Sequence, residues 1–240
     1  MDASRLDRLA RAAAAFVLSP RCLVCGDRGR GDRELCGPCQ ASLPRNLSCC
    51  GRCALPMPCG APECGQCQQV ERPWADLWVP FVYAWPLDVL EARFKFSGSL
   101  AAGRVLGECW LDTGRPPTTP DLLLPVPLHV SRLRSRGYNQ AAELARVLSR
   151  RLGIPVRHDA LARVRRTQAQ TELDATTRAQ NVRGAFVVRR PPGPRHVALV
   201  DDVMTTGSTL GECARVLLAS GVARVDVWAL ARTPAPGSRQ

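Results

Sequence analysis

Val197-Ala-Leu-Val-Asp-Asp-Val-Met-Thr-Thr-Gly-Ser-Thr209 joins an apolar run to two acids and then to a string of small hydroxyl residues. Val197 to Val200, stopped by Asp201 and Asp202, reads as a strand buried on both faces, as a parallel sheet requires. A helical segment, Leu210 to Ser220, follows. Ligands of open parallel sheets bind beyond the carboxyl ends of the strands, and the polar residues fall there.

Thr205, Thr206, Gly207, Ser208 and Thr209 can present successive backbone N–H groups and hydroxyls at a helix N-terminus, a cradle for a phosphate. Gly207 lets the backbone approach a ligand with no side chain in the way. Asp201 and Asp202 repel a phosphate, but they suit hydroxyl donors such as those of ribose, with a Mg²⁺ ion nearby. A plainer reading exists: Thr209-Leu-Gly-Glu212 fits a capping box, in which Thr209 caps the helix. That reading leaves the acid pair and the preceding threonines unexplained. Neither the Walker phosphate loop nor the dinucleotide glycine pattern occurs in the chain.

As a whole, this segment resembles the phosphoribosyl-pyrophosphate (PRPP) signature of the type I phosphoribosyltransferases. The resemblance implies that Asp201 and Asp202 hold the ribose hydroxyls at the catalytic centre. It also implies that Thr205 to Thr209 hold the 5-phosphate.

The chain of 240 residues holds one sizeable domain and a small one, and its 45% hydrophobic share is ordinary for a globular protein. No apolar run approaches the roughly 20 residues that span a bilayer, so membrane insertion is not expected. Leu6, Leu9, Ala13, Phe16 and Val17 fall at helical spacing, and residues 1 to 19 read as an amphipathic helix packed on its own protein. With Asp2 and Asp7 ahead of the apolar stretch and no clean cleavage site after it, a secretory signal is disfavoured and a cytoplasmic location follows.

The formal charge is +12, and residues 131 to 190 contribute 14 arginines against four acids. Basic surface concentrated in this way points to a polyanionic partner: pyrophosphate, nucleic acid, or both. Lys95 is the single lysine among 33 basic residues. Codon bias explains a preference for arginine but not the clustering, and it makes Lys95 conspicuous.

Ten of the twelve cysteines lie between residues 22 and 67. Cys22, Cys25, Cys36 and Cys39 have the same spacing as Cys50, Cys53, Cys64 and Cys67, offset by 28 residues. Each half offers two Cys-x-x-Cys knuckles, the ligand set of tetrahedral zinc. Two structural zinc sites are expected. A single site with a degenerate second half, or ligation crossed between the halves, stays open. Residues 20 to 70 carry few large apolar side chains, so ligation would supply their stability. Cys49 and Cys59 fall outside the repeat, while Cys109 and Cys213 lie in helical segments as small core residues.

Beyond Pro73 the pattern changes. Ala75 to Trp85 reads as a strand with Pro80 marking an edge or bulge. Leu87 to Phe96 and Ala101 to Leu111 read as helices, Asp121 to Leu128 as a buried strand, Ala141 to Leu152 as a helix and Val222 to Ala231 as the last strand. Strands alternating with helices predict an α/β domain over residues 71 to 232, followed by a disordered tail over 233 to 240. His129 to Gln140 reads as a basic strand-end loop able to neutralise a second anion, with pyrophosphate the fitting candidate for its arginines.

Pro125-Val-Pro-Leu128 followed by Arg136-Gly137-Tyr138-Asn139-Gln140 resembles the hallmark of the ComF family, proteins linked to DNA uptake in bacterial competence. Lys95-Phe-Ser-Gly98 resembles that family's lysine segment. Thr167-x-x-Gln170-x-x-Leu173 with Arg178-x-x-Asn181 resembles its middle motif. The likeness runs over nearly the whole chain in the family's order. It implies a type I phosphoribosyltransferase-like parallel sheet with flanking helices, preceded by a small Cys-rich double zinc ribbon. Lys95 and Arg136 to Gln140 would then form a basic rim for pyrophosphate. Arg166, Gln170, Arg178 and Asn181 would belong to a loop that closes over PRPP and excludes water.

Two kinds of function follow, with a third beside them. In the first, the protein is a phosphoribosyltransferase using PRPP and Mg²⁺. In the second, it is a single-stranded DNA-binding protein, with Tyr138 and the tryptophans at 74, 78 and 85 available for stacking. In the third, the zinc region docks onto a competence helicase-like partner.

Overall fold

The computed structural model describes residues 20–165, 182–193 and 196–235. Two compact units divide at Leu43 and Pro44. The first contains Cys22 to Cys39 and the short helix α1 (Gly37–Ala41). The second contains everything from the second cysteine cluster onward, with α2 (Gly65–Gln69) inside that cluster.

A five-stranded parallel sheet forms the larger unit. In it β3 (Leu122–Pro125) pairs with β6 (His196–Met204), and β6 pairs with β7 (Arg224–Arg232). Two short strands, β1 (Leu77–Trp78) and β2 (Phe81–Val82), both lie along the outer side of β7. The strand expected over Ala75 to Trp85 is therefore broken in two at Val79-Pro80, where proline has no N–H to give to the ladder.

Val197 to Val200 are fully buried, as a doubly covered parallel strand demands. The strand does not stop there. Its ladder with β7 continues through Asp201↔Ala229, Val203↔Ala231 and Met204↔Arg232. Backbone pairing with a long neighbour, rather than side-chain hydropathy, sets where β6 ends. The acid pair consequently lies within the strand.

Alternation along the strands separates two faces. Leu122, Leu124, Val197, Leu199, Val225 and Val227 share a core with Leu210, Cys213 and Leu217 of helix α7 (Ser208–Ala219). On the alternate parity, the helices α3 (Leu87–Phe96), α4 (Leu100–Leu111) and α6 (Gln140–Leu152) pack together, with α6 against β3 and β6. An antiparallel ribbon of β4 (Leu161–Arg163) and β5 (Phe186–Val188) packs on α7 through β5.

His129 to Gln140 is not a loop throughout. It contains a helix, α5 (Val130–Arg136), started by the His129 side chain accepting from Ser131 N and ended by Gly137 at φ +81°. Seven residues with three arginines carry no apolar stripe, so helical periodicity was not visible there.

Candidate functional site

Parity fixes where the two acids go. Asp202, on the face of α3, has its Oδ2 3.0 Å from Lys95 Nζ. Lys95 Nζ is also 3.2 Å from Oε2 of Glu91, one helical turn earlier on α3. Asp201 lies toward α7, where its charge reaches Cys213. Its Oδ1 accepts the Asp202 N–H at 3.0 Å, and Asp202 Oδ1 accepts the Val203 N–H at 2.6 Å.

The electrostatics divide the pair. Burial drives the Asp201 carboxyl well above the usual range, and the neighbouring Asp202 adds to that rise. Burial also opposes ionisation of Asp202, but the Lys95 ammonium outweighs it and holds Asp202 below the ordinary value. Lys95 is raised: burial pulls it down, while Asp202 and Glu91 together more than compensate. Burial lifts Glu91 to about 7, against the pull of Lys95. The site therefore gathers three carboxyls about one ammonium, with ionisation favoured at Asp202 by Lys95 and opposed at Asp201 by burial.

Glu91 did not figure among the sequence-derived candidates. The signal was present, because Glu91 and Lys95 stand four apart on one helix face.

After Met204 the chain turns through Thr205 and Thr206 to Gly207, which takes φ +78° as the N-cap of α7. No side chain caps this twelve-residue helix at that position. Thr206 Oγ1 and Ser208 Oγ are 2.7 Å apart, and Thr206 Oγ1 accepts the Ser208 N–H at 3.3 Å. The capping-box alternative is not what forms. Thr209 lies inside the first turn, and Glu212 accepts the Gly184 N–H at 2.7 Å and pairs with Arg215. Hydroxyls and a helix N-terminus thus stand at the end of the strand that carries the acids, an arrangement suited to an anion beside a diol.

Of the basic-rim residues, Arg136 donates to Gln140 Oε1 at 3.0 Å, and its charge reaches both Asp202 and Glu91. Its guanidinium also lies 5.7 Å from the ring centroid of Phe96. The other members of the motif carry anchoring contacts. Gly137 supplies the left-handed turn. Tyr138 packs its ring on Phe94 and donates to Phe94 O. Asn139 caps α6 through Ala141 N and donates to Val126 O at 2.9 Å. Gln140 is buried and holds Arg136. Arg166, Gln170, Arg178 and Asn181 lie outside the described residues.

Trp74 and Trp78 are buried, the latter against Trp110 and Trp228. Trp85 is exposed as expected, 60% accessible, and among the described residues the other exposed aromatic ring is Phe96, 80% accessible, on which Arg136 rests.

The two cysteine clusters assemble within each half of the repeat: in each, four sulfurs lie within 4.8 Å of one another. Tetrahedral zinc with Zn–S bonds of about 2.3 Å sets its sulfurs about 3.8 Å apart. Cys25 and Cys36 stand 3.6 Å apart, and Cys53 and Cys64 stand 3.7 Å apart. Backbone N–H groups of Arg52 and Cys64 point at the Cys50 sulfur from 3.4 and 3.2 Å. Both donor sets fit a structural zinc ion. Crossed ligation between the halves does not fit these groupings.

Residues 13–68 match the double zinc ribbon domain family. The chain is 38% identical over 222 residues to competence protein F of Haemophilus influenzae, covering 88% of this chain and 96% of that one. It is 36% identical over 223 residues to the DNA utilization protein YhgH of Escherichia coli K12, covering 88% and 90%. Among solved structures, it is similar to a Bacillus subtilis glutamine PRPP amidotransferase complexed with ADP and GMP, at 21% identity and TM-score 0.35, over 59% of this chain and 26% of that one. It is also similar to an HGPRT-ase from Leishmania tarentolae in complex with GMP, at 22% identity and TM-score 0.27, over 61% and 67%. Among the described residues, no helix is long and apolar enough to cross a membrane.

Proposed function

Because the chain belongs to the competence protein F family, we propose that the carboxyl end of β6 binds PRPP or a related phosphorylated ribose with Mg²⁺, in the service of DNA uptake or the processing of internalised single-stranded DNA. The observation that carries this reading is one strand end bearing both halves of a receptor. Asp201 and Asp202 near the end of β6 would hold the diol, and the Thr205 to Thr209 run, at the start of α7 behind the N-cap Gly207, would hold the phosphate.

As a transferase, the protein would let a nitrogen nucleophile form a bond to C1 of the ribose while the bond from C1 to pyrophosphate breaks. Arg136 would supply positive charge toward the departing pyrophosphate, and the acids would fix the sugar. Asp201 and Asp202 offer the hard oxygen ligands that Mg²⁺ takes, and that ion would offset the charge of the pyrophosphate. Lys95 keeps Asp202 ionised and oriented for either task. Calorimetry with PRPP in magnesium buffer tests the reading. Asp201→Asn combined with Asp202→Asn should abolish binding while the fold survives, because Glu91 still compensates Lys95. Wild-type affinity in that double variant would end the proposal.

A second reading, direct binding of single-stranded DNA, is favoured by Phe96. It is an exposed ring beneath a guanidinium, next in sequence to Lys95. A base stacks on such a ring while arginines follow the backbone. Arg132 and Arg134 lie on α5 together with Arg136.

A further inference from the structure

Glu91 is a fully buried acid on a helix whose other buried residues are Leu87, Leu90 and Phe94. Lys95 Nζ lies 3.2 Å from its Oε2, and among the described residues its Oε1 has no hydrogen-bond partner. Burying a carboxyl on such terms costs free energy, and an apolar side chain of similar volume is often no worse for the fold. The presence of an acid here is therefore explained by what it does to Lys95.

Packing gives the backbone of Lys95 a fixed place. The neighbouring Phe94 is fully buried, its ring lies against Tyr138, and Gly103 of α4 leaves the room that ring fills. Beyond the backbone, a lysine is a point charge on a flexible stem, and holding it in one geometry costs side-chain entropy. Two contacts hold this ammonium, one at 3.2 Å to Glu91 and one at 3.0 Å to Asp202 Oδ2. Asp202 Oδ1 meanwhile accepts the Val203 N–H at 2.6 Å, so both oxygens of that carboxylate are engaged and its plane is set. Without Glu91, a single partly exposed ion pair would have to keep Lys95 in place.

We propose that Glu91 is a positioning residue: it seats the Lys95 ammonium against Asp202 and so presents that carboxylate in one orientation to a ribose diol. The second half of this rests on the reading of the β6 end as a sugar site, but the seating of Lys95 is measurable without a ligand.

Lys95 is the one lysine in the chain, so lysine isotopically labelled at Nζ gives a single ammonium signal by nuclear magnetic resonance. The experiment compares the full chain with its Glu91→Leu and Glu91→Gln variants. In Glu91→Leu the ammonium protons should exchange with water about tenfold faster, the scale of losing one hydrogen bond between charged groups. Ribose 5-phosphate in magnesium buffer should bind about tenfold more weakly by calorimetry, and Glu91→Gln, which keeps an acceptor oxygen without the charge, should recover part of both effects. Urea unfolding should come no earlier than in wild type, because Asp202 still compensates Lys95. In a Lys95→Met background, Glu91→Leu should weaken binding no further, since a residue acting through Lys95 then has nothing to act on. Should Lys95→Met fail to fold, the single variants still decide the matter.

A wild-type ammonium signal in Glu91→Leu overturns the proposal. So does unfolding in markedly less urea, which would make Glu91 a prop for the fold, and so does a loosened ammonium in a protein that binds ribose 5-phosphate as wild type does. If wild type itself binds no ribose 5-phosphate, a loosened ammonium supports the seating of Lys95 and sinks only the sugar reading.

Discussion

Lys95→Met isolates the electrostatic hub of the site. Methionine keeps the length of the chain and its apolar stem, so the change removes the ammonium with little change in volume. Two carboxyls then lose their shared cation. Glu91, fully buried, stood 3.2 Å from it, and Asp202, 15% exposed, stood 3.0 Å from it. Removing one partner of a buried ion pair costs about 3–5 kcal/mol, because the charge left behind has no compensation.

That cost should depend on pH, and its sign follows from the carboxyls. Without Lys95, Glu91 rises above its present value of about 7, and Asp202 loses the interaction that holds it low. A carboxyl raised in the folded state contributes stability below its unfolded value and loses it as pH climbs through the folded one. Because wild-type Asp202 is held low, its share of the penalty is already present near pH 5, and the total should grow toward pH 8 by up to about 1.4 kcal/mol per pH unit for each proton involved. Urea unfolding of wild type and variant at about pH 5.5 and about pH 8 measures this directly. Adding Glu91→Gln to Lys95→Met should recover roughly half of the loss at the higher pH. An equal penalty at both pH values would refute the reasoning, as would a double variant no more stable than Lys95→Met alone.

Gly207→Ala puts a side chain at φ +78°, with its Cβ 2.8 Å from Met204 Cε and 3.1 Å from the Trp74 ring. The left-handed backbone alone costs about 1–2 kcal/mol, and the new Cβ also crowds the buried Trp74, so unfolding should come earlier in urea and ribose 5-phosphate binding should weaken. Unchanged stability would show that the turn accepts Cβ and that glycine is not needed there. For the DNA reading, anisotropy of a short labelled single strand should report binding that weakens steeply as salt rises, and more weakly still with Phe96→Ala. Salt-independent binding, or none at low salt, counts against it.

Much of this architecture is written locally in the chain. Val197 to Val200 called for a strand covered on both faces, and the matched cysteine spacing pointed to two tetrahedral sulfur sites while leaving a single site or crossed ligation open. The sulfurs lie where a metal needs them because each knuckle is a short local turn. Likewise, Asp201, Asp202 and the Thr205–Thr209 run are neighbours in sequence, so the strand–turn–helix they occupy brings them to one edge without distant help.

What tertiary structure alone decided involves partners far apart in sequence. The ladder with β7 carries β6 four residues past Val200, because backbone pairing does not depend on side-chain polarity. Lys95 meets Asp202 across more than a hundred residues, and only the packing of α3 on the sheet makes it the counter-ion of the acid pair. The Arg136–Gln140 motif divides its work between presenting one arginine and anchoring the rest to Phe94 and Val126. The second cysteine cluster reads in sequence as half of a repeat, yet it shares its core with the sheet. Burial free energy follows whichever apolar surfaces meet in space, and the repeat pattern says nothing about which surfaces those are.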